Sequence, residues 1–171
     1  ATSEGAFHEG ANFAGVFRAP VVLFCTNNQW AISTPFEKQS ATSTVAEKAA
    51  GYGMPGIRVD GLDALACWSA TRDALERARN GGGPTLIEAL TYRVGPHATA
   101  DDPSRYRDDA EAKRWREREP VGAFTALLET ERVLSPERKA EIAAEAKTLV
   151  DRAVTAMDAA APLGAEEMFE T

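Results

Sequence analysis

Apolar and polar positions fall along this chain in blocks, each with its own period. In "TSEGAFHEGANFAGVFRA", Phe7, Ala11, Ala14 and Phe17 recur at helical spacing. Thr2 or Ser3 can cap that helix, and Glu4 suits its positive end. Gly5 and Gly10 lower its propensity, and a glycine inside a helix points to close packing or a close ligand. Pro20 closes the block. The run "VVLFC" is rich in β-formers and reads as a buried strand, ended by two tandem amides, Asn27 and Asn28. Those amides weaken a strand and add nothing to an apolar core. A loop follows, with a short helix from about Thr44, and then a strand and turn in "IRVDG". "DALACWSATRDALERARNGG" is an amphipathic helix with Leu65, Trp68, Leu75 and Ala78 on one side, stopped by Gly81 to Gly83. "PTLIEALTYR" is the third strand.

Helix and strand thus alternate three times. This predicts an α/β fold, a parallel sheet flanked by helices. Ligands of such sheets bind beyond the carboxyl ends of the strands. Asn27 and Asn28 follow one strand end, and Arg93 and His97 follow another, so parallel strands would put them on a common rim. "GPHATADDPSRYRDDAEAKRWREREP" is long, charged and rich in turn formers. It reads as a solvated loop, of the length that is often functional. The tail is helical: Ser135 can cap, Pro136 suits the first turn, and Ile142, Ala146, Leu149, Val150, Ala153 and Met157 form a stripe.

Composition narrows the function. A chain of 171 residues with 44% hydrophobic content suits one globular domain with a core. A formal net charge of −7 disfavours a general nucleic-acid binder. No run approaches the roughly 20 apolar residues of a membrane span. Cys25 and Cys67 lie in apolar contexts with no CxxC pair, which predicts buried free thiols and a reducing compartment. Both ends look cut, "ATSEG" because a helix starts with nothing before it and "EEMFET" because it stops on an apolar-containing stretch. A fragment of a longer chain is expected.

Two residues stand out chemically. Asn28 offers a neutral, hard oxygen suited to magnesium, or else an amide that closes a turn. His97 is a candidate for proton chemistry near neutral pH, or else an exposed loop histidine. The other histidine, His8, lies within the first helix as a packed or interface group.

The blocks "ATSEGAFHEGANFAGVFRAPVVLFCTNNQWAIS", "YGMPGIRVDG" and "GPTLIEALTYRVGPHATADDPSRYR" resemble the alpha subunit of thiamine-diphosphate-dependent 2-oxo acid dehydrogenases over nearly the whole chain. The resemblance implies a thiamine-diphosphate-binding fold, its diphosphate-binding half, with a helical C-terminal tail. Residues 1–171 would be one domain of a C-terminal fragment: a cofactor-binding core over 1–95, an active-site loop over 96–119, and the tail over 120–171. The family's cofactor motif opens with Gly-Asp-Gly and closes with Asn-Asn. Its aspartate, which shares the metal with the second asparagine, would precede Ala1.

By resemblance, Asn28 is the side-chain ligand of magnesium and Trp30 gives it a main-chain carbonyl. The backbone at Ala1 touches the diphosphate. Thr26 stands where relatives often place a longer polar contact. His97 is the active-site histidine, near diphosphate and reacting centre. Its loop would order around the cofactor and recruit the lipoyl domain, cross-linked by Arg93, Asp101, Tyr106 and Arg107 through charged hydrogen bonds. Ala98 and Asp108 stand where mitochondrial relatives carry regulatory serines, which predicts no kinase control there. The implied reaction is oxidative decarboxylation of a 2-oxo acid, with a branched-chain acid favoured, and acyl transfer to a lipoyl-bearing acyltransferase; a pyruvate or acetoin dehydrogenase alpha subunit is the alternative within the family. The implied partner is a beta subunit in a two-alpha two-beta heterotetramer, in a bacterial cytoplasm. A non-catalytic α/β interaction module with the same pattern is the alternative of another class.

Overall fold

The alternation of the sequence is realised as a parallel sheet of three strands in the order β1 (Val22–Asn27), β5 (Thr85–Leu90), β4 (Gly56–Asp60). Both pairings are parallel and in register at the rim, where Asn27 and Asp60 each face Leu90. The computed structural model describes residues 1–162, 164 and 165. The apolar-containing end of the chain, residues 166–171, lies outside the described residues. Two compact units are formed, Ala1–Phe124 and Thr125–Thr171.

In the first unit, helix α1 (Gly5–Val16) and a 3-10 helix (Ala46–Tyr52) cover one face of the sheet. They enclose Ala11, Val45, Ala49, Met54 and Leu86. Helix α2 (Ala64–Arg79) packs on β4, β5 and β1. Flanked on both faces, β5 is buried from Thr85 to Ala89.

Several expectations are corrected. Neither Thr2 nor Ser3 caps α1. Glu4 takes the cap position without a side-chain bond, while the Ser3 hydroxyl donates to the Gln39 carbonyl. Phe17 is 72% exposed and stacks on the exposed Phe13 instead of joining the core. The helix ends before Pro20, because Arg18 adopts φ 51° and the Ala19 N–H reaches back to the Ala14 carbonyl. A Cβ at Gly5 or Gly10 would point into open space. The close approach is at Gly15, where a Cβ would collide with the Tyr52 carbonyl oxygen.

β1 is only half-buried, because among the described residues it lies at the sheet's edge, with Phe24 exposed. Asn27 is buried all the same, its amide satisfied by hydrogen bonds rather than apolar contact. In α2 the buried residues are Ala74 and Ala78, while Leu65, Trp68 and Leu75 face out. Small side chains let the helix lie close to the sheet, and the larger apolar ones point away. Both cysteines are free and half-buried. Burial, helped by the neighbouring Glu88 carboxylate, pushes the Cys25 thiol above its ordinary range.

The polar stretch after Gly95 is not all loop. Helix α3 (Asp109–Arg116) forms within it, with Asp108 as its cap. Trp115 stacks on Tyr92 at 5.4 Å and 7°, and the Tyr92 hydroxyl donates to Glu111 at 3.0 Å. These contacts fix a helix in which five of the eight residues are charged.

The unit boundary falls within helix α4 (Pro120–Thr130). In the second unit, helix α5 (Pro136–Ala159) starts as its sequence predicts, with the Ser135 hydroxyl accepting from the Arg138 N–H and Pro136 in the first turn. Ile142, Leu149, Val150 and Met157 of its stripe are exposed. Among the described residues no helix is long and apolar enough to cross a membrane.

Candidate functional site

The tandem amides sit on the carboxyl rim of the sheet and organise the chain that follows them. The Asn27 carbonyl accepts from the Thr91 N–H at 2.9 Å, and the Asn28 carbonyl from the Arg93 N–H at 3.2 Å. Parallel pairing of β1 with β5 thus brings the two strand exits together.

Beyond the rim the two amides divide their work. Asn27 Oδ1 accepts from the Gln29 N–H at 2.9 Å, and its Nδ2 donates to Glu88 at 2.7 Å. Gln29 takes a left-handed conformation (φ 67°) and donates from its side chain to the Thr91 carbonyl at 2.8 Å. Asn28 Oδ1 accepts from the Trp30 N–H at 3.0 Å. Asn28 therefore does close a turn, and a carbonyl oxygen so engaged keeps a second lone pair.

A small hairpin follows, β2 (Trp30–Ala31) with β3 (Thr34–Pro35), which sequence reading missed. The Phe36 N–H donates to the Gln29 carbonyl at 2.9 Å, so the next pair inward, Trp30 with Pro35, is of the non-hydrogen-bonded kind. In such a pair the N–H and C=O of a residue both turn away from its partner. The Trp30 N–H turns towards Asn28, so its carbonyl lies on that side too. An amide oxygen and a main-chain carbonyl on one side of one turn are hard, neutral donors of the sort that bind magnesium. Among the described residues no three His, Cys, Asp or Glu side chains cluster as a metal site.

Ala1, Thr26, Asn28 and Trp30 line one cleft of about 130 Å³, with Val45 and Phe36 among its walls. A second cavity of about 410 Å³ adjoins the same turn and takes Tyr106, Arg107 and Asp108 from the loop. Trp30 lines both. His97 lines neither. It is exposed, and its N–H donates to Asp101 at 2.8 Å.

Arg93, Asp101, Tyr106 and Arg107 form one network. The Tyr106 hydroxyl donates to Asp101 at 2.6 Å and accepts from Arg93 at 3.1 Å. Arg93 also donates to the Ile32 carbonyl at 2.5 Å, which ties the loop to the hairpin. Arg107 donates to the carbonyls of Arg93 and Val94, and its guanidinium lies 5.5 Å from the Tyr92 ring centre. The Tyr106 ring rests 5.4 Å from that of Trp30. Loop and cleft are thus mechanically joined through Trp30.

The Tyr106 hydroxyl, with help from the His97 N–H, holds Asp101 below its ordinary 3.8. Asp101 in turn raises Tyr106 above its ordinary 10.0. The depressed acid contributes order that is lost only as pH falls through its folded value. The raised phenol contributes order that is lost only as pH rises through its own. Protection of the Arg105–Tyr106 bond from trypsin, taken relative to an unfolded peptide carrying the same bond, is therefore expected not to change through these two groups between about pH 5 and 9. Tyr106→Phe keeps the ring against Trp30 but removes both hydrogen bonds. It should speed cleavage there, relative to the same control, at every pH in that window, while the thermal midpoint changes little. Unchanged cleavage would show that Asp101 and Arg93 hold the loop without the phenol.

Sequence reasoning passed over Glu88. Its signal was available: a carboxylate inside a strand otherwise rich in buried apolar residues, "TLIEAL".

The family described as the dehydrogenase E1 component matches residues 1–166. The 3-methyl-2-oxobutanoate dehydrogenase subunit alpha of Mycobacterium tuberculosis is 48% identical over 171 residues, which is 100% of this chain and 47% of that protein. The pyruvate dehydrogenase E1 component subunit alpha of Bacillus subtilis is 48% identical over 158 residues, 92% of this chain and 43% of that protein. Its counterpart in Bacillus cereus is 47% identical over 169 residues, 98% of this chain and 46% of that protein. The chain spans about half the length of the curated relatives it matches.

Proposed function

For a chain that belongs to the dehydrogenase E1 component family, we propose the diphosphate- and magnesium-binding half of a thiamine diphosphate site in the alpha subunit of a 2-oxo acid dehydrogenase. The observation that carries this is the single cleft lined by Ala1, Thr26, Asn28 and Trp30 at the carboxyl rim. The remaining site would come from a beta subunit, in a two-alpha two-beta assembly in a bacterial cytoplasm.

The roles of this chain's residues follow from their chemistry. Asn28 Oδ1 and the Trp30 carbonyl hold magnesium. The backbone at Ala1 and the Thr26 hydroxyl face the diphosphate. Thiamine diphosphate, when bound, supplies the carbanion chemistry of 2-oxo acid decarboxylation. His97 holds or delivers a proton at the reacting centre and during acyl transfer to a lipoyl group. Arg93, Asp101, Tyr106 and Arg107 keep its loop in one shape for a lipoyl-bearing acyltransferase to meet.

The substrate reading is a branched-chain 2-oxo acid, resting on the loop "GPHATADDPSRYR". Identity does not separate it from pyruvate, since the Mycobacterium and Bacillus subtilis relatives are both 48% identical to this chain. The test is the full alpha subunit combined with its beta partner and assayed for decarboxylation of branched-chain 2-oxo acids and pyruvate, and for oxidative C–C cleavage of acetoin. Turnover is expected only with thiamine diphosphate and magnesium together, fastest on a branched-chain acid, and absent from the alpha subunit alone. An assembly that binds no cofactor and turns over nothing would favour a non-catalytic module. Preference for pyruvate would move the reading to the pyruvate type.

A further inference from the structure

Glu88 is the one charged side chain that is buried among the described residues, at 0% exposure. It stands in the middle strand, laterally between Cys25 of β1 and Arg58 of β4, and forms no ion pair with Arg58. Its two oxygens are spent separately. One accepts from Asn27 Nδ2 at 2.7 Å, the other from the Ala46 N–H at 3.0 Å. Burying a carboxylate on two hydrogen bonds alone is costly, so a residue kept there must secure something apolar packing could not.

What it secures can be read from Asn27. The Oδ1 of Asn27 is committed to the Gln29 N–H, so its Nδ2 must find an acceptor on the core side. Glu88 is that acceptor. With the amide plane of Asn27 fixed, Gln29 is held in its left-handed conformation and the chain turns back to present Asn28 Oδ1 beside Trp30. The other oxygen of Glu88 anchors Ala46, next to Val45, which lines the same cleft.

We propose that Glu88 is a positioning residue of this site. Its carboxylate holds the Asn27–Asn28 turn and the Val45–Ala46 segment at a fixed separation, so that the metal donors are already arranged before a ligand arrives. The inference rests on the functional reading above and adds a residue to it that touches neither metal nor cofactor.

The bonding pattern supplies its own test. Glu88→Gln has one acceptor oxygen for two donors, so an N–H is left facing an N–H. Asn27→Asp sets two carboxylates against each other. The double variant N27D/E88Q reverses the direction of the bond. The introduced amide then donates to the introduced carboxylate and accepts from the Ala46 N–H, while the second oxygen of that carboxylate still accepts from the Gln29 N–H.

The full alpha subunit with its beta partner should carry these changes. Hydrogen exchange at Gln29 and Trp30 is read without cofactor, and the Kd for thiamine diphosphate is read by calorimetry across magnesium concentrations. Each single variant should exchange faster and bind about 10- to 100-fold more weakly, the usual range for residues that orient metal ligands. The double variant should return both readouts towards the native values. Native exchange and affinity in E88Q, faster exchange with native affinity, or a double variant no better than the singles would each overturn the role. If the singles do not fold, the double decides alone: cofactor binding supports the role and failure overturns it. A native assembly that binds no thiamine diphosphate overturns the functional reading and this inference with it. Native binding beside an unaffected E88Q overturns the inference only.

Discussion

Asn28→Ala is expected to weaken magnesium-dependent binding of thiamine diphosphate by about 100-fold or more. Residues that merely orient a metal ligand are typically worth about 10- to 100-fold, and the ligand itself should lie at or above the top of that range. The difficulty is that Asn28 has two jobs. Its Oδ1 also accepts from the Trp30 N–H, so alanine loosens the turn as well as removing a donor. Magnesium separates the two. A lost ligand raises the metal concentration needed for binding, and excess magnesium recovers part of the affinity. A turn that loosens without disturbing the metal donors lowers affinity at every metal concentration alike. Thermal stability is a second check, since one lost hydrogen bond costs about 1 kcal/mol whichever role is right. Calorimetric titration of the assembled subunits with cofactor, repeated over a range of magnesium, reads both. Undiminished affinity in Asn28→Ala would remove this residue from the metal site and leave it the closing amide of a turn.

That duality was legible from the start, because an amide after a strand end can serve a turn or a ligand and the residue type does not choose. The common rim was legible as well. Alternation of helical blocks with short β-former runs implied parallel strands, and parallel strands imply that Asn28 and Arg93 leave the sheet on the same side. What could not be read was which apolar face packs within the chain. Leu65, Trp68 and Leu75 outweigh Ala74 and Ala78 in hydrophobicity, yet the alanines are buried because only small side chains allow the close helix–sheet approach seen here. Helix α3 was hidden for the opposite reason. "DAEAKRWR" has one aromatic residue, and what fixes the helix is a stack on Tyr92, 23 positions earlier, together with the Asp108 cap. The hairpin at Trp30–Pro35 was too short to show a period, and a proline in a strand argues against one.

The structure also changes how the loop is to be understood. A run of charges by itself reads as facing water, and only the resemblance implied that some of them cross-link the loop. Arg93 and Arg107 turn inward instead, onto main-chain carbonyls of Ile32, Arg93 and Val94, and Asp101 gathers the His97 N–H and the Tyr106 hydroxyl. Carbonyls that a solvated loop would leave to water are taken by guanidinium groups. The loop can therefore hold one shape while its tip stays exposed. It is this combination that the role proposed for His97 requires: a fixed backbone and an unobstructed side chain.

His97→Ala accordingly should leave the fold alone and fall heavily on the reaction. The imidazole forms no hydrogen bond among the described residues, and the bond that does hold the tip comes from the His97 N–H to Asp101, which alanine retains. Assembly with the beta subunit and the thermal midpoint should thus match the native protein. A group that moves a proton in the rate-limiting step typically contributes about 10²–10⁴-fold in rate, and reductive acylation of the lipoyl domain should fall within that range. Which step loses the proton is decided by a second assay on the same variant. If His97 acts on acyl transfer, decarboxylation followed with an artificial electron acceptor should keep most of its rate while lipoyl acylation collapses. If it acts at decarboxylation, both should fall together. Rescue by added imidazole in the collapsed step would identify the missing group as a proton carrier rather than a spacer. Near-native rates in both assays would return His97 to an exposed loop histidine, and the proton work would then belong to groups outside this chain.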